Sequence, residues 1–252
     1  MSTLHVRDLG AGSVVLLLGG SPTPAEHLGR LAQVLSANHR VLLPDLPGYG
    51  SSSELPGEDI FPETQAALER ELHRRRVDEI SIVGLSLGGY RSLALALGGV
   101  VRVRRLVILG GFAGFDAATR EAFRTFAAAV RASVPLEDVF VARMLSTSFV
   151  EQHPDIAASV RKWMKLTTPE WFARELDAAA ASEDLRPRLK ELSSRLLARV
   201  GSLDEASPLA WSQEICHLAP ESKLEVVPNA GHLLLLEDEQ ATISSIASFL
   251  LS

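Results

Sequence analysis

The sequence predicts an α/β fold, a mostly parallel, doubly wound sheet with an inserted helical cap. Three observations carry that reading. Short apolar runs alternate with segments of helical period; the alternation stops between about 113 and 188, where only helix signals occur; and it then resumes. The 252 residues suit one domain of the larger α/β kind, or one domain carrying an insertion.

The predicted strands are Val14 to Leu18, Arg40 to Leu43, Ile80 to Val83, Leu106 to Leu109, Leu196 to Val200 and Leu224 to Val227. They read as mostly apolar runs, as expected of strands covered on both faces. His5 to Asp8 adds a short antiparallel edge strand. Between the strands, Ala25 to Leu35, Thr64 to Leu72 and Tyr90 to Leu97 have helical period and supply right-handed crossovers. In the inserted span Asp116 opens a helix through Val130, and Pro135 precedes a second over Leu136 to Leu145. Pro154 starts a third over Asp155 to Leu166, and Thr168-Pro169-Glu170 opens a fourth to Ala181. The expected division is a core of residues 1–112 and 189–252 with a helical cap of residues 113–188 above the strand ends.

Composition narrows the function. Hydrophobic residues at 46% and charged residues at 22% are ordinary for a globular chain, which excludes disorder. A formal net charge of -6 excludes nucleic acid as the expected partner; the one basic cluster, Arg74-Arg75-Arg76, reads as the solvated end of a helix. The single cysteine, Cys216, leaves no intrachain disulfide to form and permits a reducing compartment. Met1 to Asp8 lacks a basic segment followed by an apolar run, and no apolar run is long enough to span a bilayer. The expectation is a cytoplasmic protein with no membrane span, a monomer or homodimer.

Gly84-Leu85-Ser86-Leu87-Gly88 is the stretch that points to chemistry. It follows a predicted strand and leads into a helical pattern, the setting in which a serine hydroxyl is presented at the C-terminal edge of a sheet. Read blandly it is a Gly-rich turn with an incidental serine. A serine used as a nucleophile needs a base titrating near neutrality. Of seven histidines, His5, His27, His39, His73 and His217 lie in edge or helical positions and read as solvated or structural, while His153 precedes Pro154 in the insertion. His232 follows the last strand, in the loop Pro228-Asn229-Ala230-Gly231-His232, and so comes from the same sheet edge as Ser86. An acid is then needed to fix the imidazole tautomer. Gly201-Ser202-Leu203-Asp204-Glu205 leaves the penultimate strand, and Asp204 is the candidate, with Glu205 as rival and a plain helix-capping acid as the alternative to both. Two backbone N–H groups must receive the oxyanion. They are expected from Leu87, after the nucleophile, and from Ser21 in Gly19-Gly20-Ser21-Pro22, since Pro22 cannot donate.

At this point the chain resembles the α/β-hydrolase superfamily over nearly its whole length. Asp45-Leu46-Pro47-Gly48-Tyr49-Gly50-Ser51-Ser52 is similar to a loop of that family, Gly84 to Gly89 to its nucleophile elbow, Gly201 to Pro208 to its acid turn, and Gly231-His232 to its histidine loop. The resemblance implies the α/β-hydrolase fold, a Ser86–His232–Asp204 triad, and no metal or organic cofactor. The carboxylesterases, enol-lactonases, cofactor-free haloperoxidases and carbon–carbon bond hydrolases are the most similar branches; families with aspartate where Ser86 stands are disfavoured. The chain departs from the pattern twice. Gly19-Gly20 stands where His-Gly is usual, and the segment before Val14 is short, so an edge strand is missing or abbreviated.

The leading expectation is hydrolysis of a small ester, thioester or lactone through an acyl-enzyme, acting on a small-molecule substrate with an apolar acyl group. The alternatives are a carbon–carbon bond hydrolase or lyase using the same triad, and a binding protein that retains the pocket. Cap aromatics should supply some of the pocket, and Gly20, Met144, Trp163 and Trp171 are the named candidates.

Overall fold

The computed structural model describes residues 4–57 and 59–252. The chain runs β1 (Val6–Leu9), β2 (Val14–Leu18), a tight helical turn (Ala25–Leu28) continuing into α1 (Gly29–Leu35), β3 (Arg40–Pro44), α2 (Ile60–Arg74), β4 (Glu79–Leu85), α3 (Leu87–Gly98) and β5 (Arg102–Leu109). Five helices follow before the sheet resumes: α4 (Ala117–Arg131), α5 (Glu137–Met144), α6 (Thr147–Gln152), α7 (Pro154–Arg161) and α8 (Pro169–Ala181). The last part comprises β6 (Arg195–Gly201), α9 (Leu209–Leu218), β7 (Ser222–Val227), α10 (Leu234–Glu237) and α11 (Glu239–Leu251).

Seven strands form one sheet in the order β1-β3-β2-β4-β5-β6-β7. Only β1 is antiparallel, pairing Val6 with Pro44 through to Leu9 with Val41. It is the abbreviated edge strand. The central strands are buried on both faces, which is why they read as apolar runs without alternation. Leu16, Leu42, Ile82, Leu106 and Ile108 join one core cluster, and Val15, Leu17, Val41, Val83 and Val107 join another.

Local chemistry explains the helix boundaries of the inserted block. The Asp116 carboxylate accepts from Thr119 N–H, and the Thr168 hydroxyl from Trp171 N–H, so each caps the helix its sequence announces. Between α5 and α7 the structure has a helix the sequence reading lacked. Ser146 caps α6 by accepting from Phe149 N–H, and six residues are too few to show a periodic apolar face. The stretch read as one helix from Asp155 to Leu166 is α7 followed by a tight turn at Lys162–Lys165.

The block is packed on the sheet domain rather than standing apart. Trp171 is fully buried and joins the first cluster, while Phe140, Leu145 and Val160 join the second. Phe172, Ala173 and Leu176 of α8 meet Ala127 and Val130 of α4. At the end of α2 Arg74 and Arg76 are exposed, as the sequence reading has it, while Arg75 is partly buried, pairing with Glu71 and reaching Asp8 at 2.5 Å. Among the described residues no helix is long and apolar enough to cross a membrane.

Candidate active site

Ser86 sits between β4 and α3 with φ +54° and ψ -118°, a conformation costly for a residue with a Cβ. Its N–H donates to Leu109 C=O at 2.9 Å, which ties the turn to the end of β5. The turn closes because Gly88 has no side chain: a Cβ there would lie 2.3 Å from the carbonyl oxygen of Leu18. The serine is partly exposed while its neighbours Leu85 and Leu87 are buried. Leu87 opens α3, so its N–H has no partner within the helix.

Asp204 and His232 meet beside it. Asp204 Oδ1 accepts the N–H of Ala206 at 2.9 Å and of Ser207 at 2.7 Å, and this leaves Oδ2 for His232 Nδ1 at 2.8 Å. Both side chains are buried. The two loops are joined through the backbone, with Leu203 N–H on Ala230 C=O at 2.9 Å, and the histidine loop is tied to the end of α5, with His232 N–H on Met144 C=O at 3.1 Å. Gly110 leaves room for the pair: its φ is +53°, and a Cβ there would lie 2.7 Å from Asp204 Oδ2 and 2.9 Å from His232 Nδ1. Glu205 is exposed and offers only its carbonyl, to Arg143 at 3.2 Å.

On the other side of Ser86 lies Gly20, where a Cβ would stand 3.0 Å from that of the serine. Ser21 follows, and its hydroxyl donates to Glu175 of α8 at 2.6 Å. Tyr49 donates to the same carboxylate oxygen at 2.5 Å, and Arg91 of α3 donates to the other oxygen at 3.0 Å. Burial first, and then the charge of Glu175, hold the Tyr49 hydroxyl well above its usual pKa, so it stays a donor.

Two cavities open at Ser86. The inner one, about 50 Å³, is lined by Leu87, Phe112, Glu175, Ala179 and Ser207; the outer, about 150 Å³, by Phe126, Phe140, Arg143, Met144 and Phe172. Ser21, Phe123, Leu176 and Trp211 border both. Larger surface clefts, about 600 and 460 Å³, do not reach the serine.

A sequence model of the alpha/beta hydrolase family matches residues 14–244. The chain belongs to that family. The hydrolase is 28% identical to a 2-hydroxy-6-oxo-2,4-heptadienoate hydrolase of Pseudomonas putida, across 98% of this chain and 92% of the relative. It is 28% identical to an esterase from Thermogutta terrifontis whose solved structure superposes with a TM-score of 0.87, covering 98% of this chain and 92% of that one. An enol-lactonase from Burkholderia xenovorans has the same fold, with a TM-score of 0.92 at 22% identity over 100% and 97% of the two chains.

The structure thus brings Ser86, Asp204, His232, Leu87 and Ser21 of the hydrolase to one sheet edge, and of the pocket candidates Met144 lines the outer cavity, while Gly20 packs against Ser86 without bordering either cavity. It does not bring the two tryptophans there. Trp171 is fully buried against Gly48 and beneath the Arg174 guanidinium, and Trp163 packs on His27 with ring centroids 5.1 Å apart; neither borders a cavity at Ser86. Aromatic residues at helical spacing were ambiguous between packing and lining, and these two pack. His27, read from its position as solvated or structural, has a buried Nε2 without a partner, and burial, then the neighbouring His232, lowers its pKa to about 4. The reading missed Glu175. Its signal was a carboxylate four residues after Trp171 and three after Phe172, on the apolar stripe of α8. Among the described residues no group of three or more His, Cys, Asp or Glu is arranged to hold a metal ion.

Proposed function

We propose that this hydrolase cleaves a small ester, thioester or lactone through an acyl-enzyme on Ser86. Ser86 Oγ attacks the substrate carbonyl as His232 Nε2 takes its proton. Asp204 holds the imidazole with Nδ1–H toward itself and stabilises the cation that forms. The N–H groups of Leu87 and Ser21 receive the negative oxygen of the tetrahedral intermediate. Its collapse expels the leaving group, which takes the proton from His232. Water, deprotonated by the same histidine, then attacks the acyl-enzyme and frees Ser86. The helical block 113–188 acts as a cap that shapes the cavities.

The observation that carries this reading is the arrangement around Asp204. Two backbone donors occupy one oxygen and His232 Nδ1 the other, which leaves Nε2 as the ring nitrogen available to take a proton. A second reading, hydrolysis of a carbon–carbon bond by the same residues, is favoured by curated relatives named as 2-hydroxy-6-oxo dienoate hydrolases. Labelling with a fluorophosphonate, followed by turnover of phenyl acetate and of a 2-hydroxy-6-oxo dienoate, tests both. Labelling at Ser86 with ester turnover is expected; labelling with dienoate turnover alone would select the second reading, and no labelling would overturn both.

A further inference from the structure

We propose that the free edge of β7 is the surface on which a second copy of this chain pairs, strand against antiparallel strand, about a two-fold axis through Leu224.

The sheet ends at β7, and among the described residues its one strand neighbour is β6. The two strands run parallel from Leu196 beside Ser222 to Gly201 beside Val227, without a break in register. The carbonyl of Glu221 accepts from Leu196 N–H at 2.8 Å, and that of Val227 accepts from Ser202 N–H at 2.9 Å. Successive residues of a strand turn their N–H and C=O groups to opposite sides, so the odd-numbered residues here bond to β6. Ser222, Leu224 and Val226 therefore turn theirs outward, where a further strand can meet them.

The side chains alternate as well. Lys223 donates to Glu225 at 2.7 Å, and both stand on the face toward α11, where Glu225 accepts from Ser245 at 2.6 Å. A cleft of about 600 Å³ opens there, with Phe249 on its far wall. Burial raises the pKa of Glu225, but hydrogen bonds from Lys223, Ser245 and Arg199 outweigh it and bring the value to about 2, so the group is a carboxylate. Leu224 and Val226 share the opposite face. Leu224 packs in part on the first core cluster, whereas Val226 is 42% exposed although apolar.

A lone lysine on a strand edge keeps other strands away. Here the residue two places on carries the opposite charge, and a two-fold axis at Leu224 sets Lys223 of each copy directly opposite Glu225 of the other. In that register Leu224 exchanges both N–H···O bonds with its own copy, and Ser222 exchanges them with Val226 of the second copy. Between those bonded pairs the strands approach most closely, at about 4.5 Å from Cα to Cα, and this is where Lys223 meets Glu225. On the other face Leu224 meets Leu224 with Val226 on the diagonal, which covers the exposed valine. Moving the axis by one residue would oppose Lys223 to Lys223 or Glu225 to Glu225, and like charges disfavour both. The strand thus selects one partner, itself, in one register.

The experiment is sedimentation velocity of the full chain across the micromolar range, where the wild type should reach twice the chain mass. Lys223→Glu, at an exposed position, should keep the circular dichroism of the wild type and weaken the dimer by about tenfold or more, because it opposes like charges twice. Val226→Pro deletes an outward N–H while leaving the bonds to β6 intact, and should give single chains. A wild type that stays at one chain mass throughout would overturn the proposal. So would a dimer equally tight in a folded Lys223→Glu protein, a result that decides the matter even if Val226→Pro fails to fold. A folded Val226→Pro protein that remains dimeric would place the interface elsewhere and overturn it as well.

Discussion

The two sides of Ser86 are built from different materials. On the acid–histidine side the geometry is set by backbone groups: N–H donors of Ala206 and Ser207 on Asp204, the Met144 carbonyl on His232, and the absent side chain of Gly110. On the side proposed to receive the oxyanion it is set by side chains, with Ser21, Tyr49 and Arg91 converging on one carboxylate that comes from α8. Backbone contacts survive most substitutions, whereas a side-chain hub depends on a single residue. The first side should therefore tolerate change except at Asp204, His232 and the glycine that makes room for them, Gly110, and the second should respond to distant changes in the inserted helices.

The largest effects belong to Ser86, which the two sides share, and to Asp204. Ser86→Ala should lower kcat by about four to six orders of magnitude with circular dichroism unchanged, because the nucleophile is lost and no cavity is made. Asp204→Asn should lower it by about 10⁴-fold through the wrong histidine tautomer. Glu205→Gln should leave kcat within about twofold, since its side chain is exposed and only its carbonyl is engaged. A reversal of the last two effects would reassign the acid and break the backbone-built description of that side.

Stability should report the cap. Trp171→Ala removes a fully buried indole that touches Gly48, and is expected to cost about 3–5 kcal/mol in denaturant unfolding. If the variant instead unfolded like wild type and changed only substrate preference, Trp171 would be a lining residue after all. A smaller change isolates the oxyanion side. Ser21→Ala keeps the backbone N–H and deletes the hydroxyl on Glu175, so kcat on a neutral ester should fall about 10-fold to 10²-fold with KM little altered, the signature of a misplaced transition-state donor. An equal rise in KM would indicate lost binding rather than lost positioning.

The same division explains what the sequence made legible. The acid–histidine side is written in local turns that leave strand ends, Gly201 to Glu205 and Pro228 to His232, and each turn is short enough that the strand before it fixes where its side chain arrives. The sheet was equally legible, since burial on both faces leaves continuous apolar runs such as Val14 to Leu18. Glu175 was not, because its role depends on α8 lying across the loop after β2, 154 residues earlier in the chain, and no local pattern encodes that contact. Trp163 and Trp171 failed for a related reason. Helical period says which residues share a face, but the face can be turned to a cavity or to the core, and only tertiary packing decides.

The smallest expected effect tests whether the oxyanion side is also the first to loosen in acid. His27 follows the oxyanion loop and lies beneath Trp163, with its Nε2 buried and its pKa lowered from 6.5 to about 4 by burial and by His232. The sign follows from proton uptake. Between pH 6.5 and about 4 the unfolded chain protonates this histidine while the folded chain does not, so folding stability contributed by neutral His27 is present above pH 6.5 and is lost progressively as pH falls toward 4. Replacing it with phenylalanine keeps a ring against Trp163 and removes the titration. The urea midpoint of the wild type should thus drop more steeply than that of His27→Phe through this interval, and the two should run parallel above it. Hydrogen exchange at mildly acidic pH would locate the change: faster exchange is expected in the Ala25–Leu28 turn, which carries the buried histidine, ahead of the Asp204–His232 loops. Parallel urea curves down to pH 4 would show that His27 takes up its proton without cost, and the buried histidine would then have no part in the weaker side of the site.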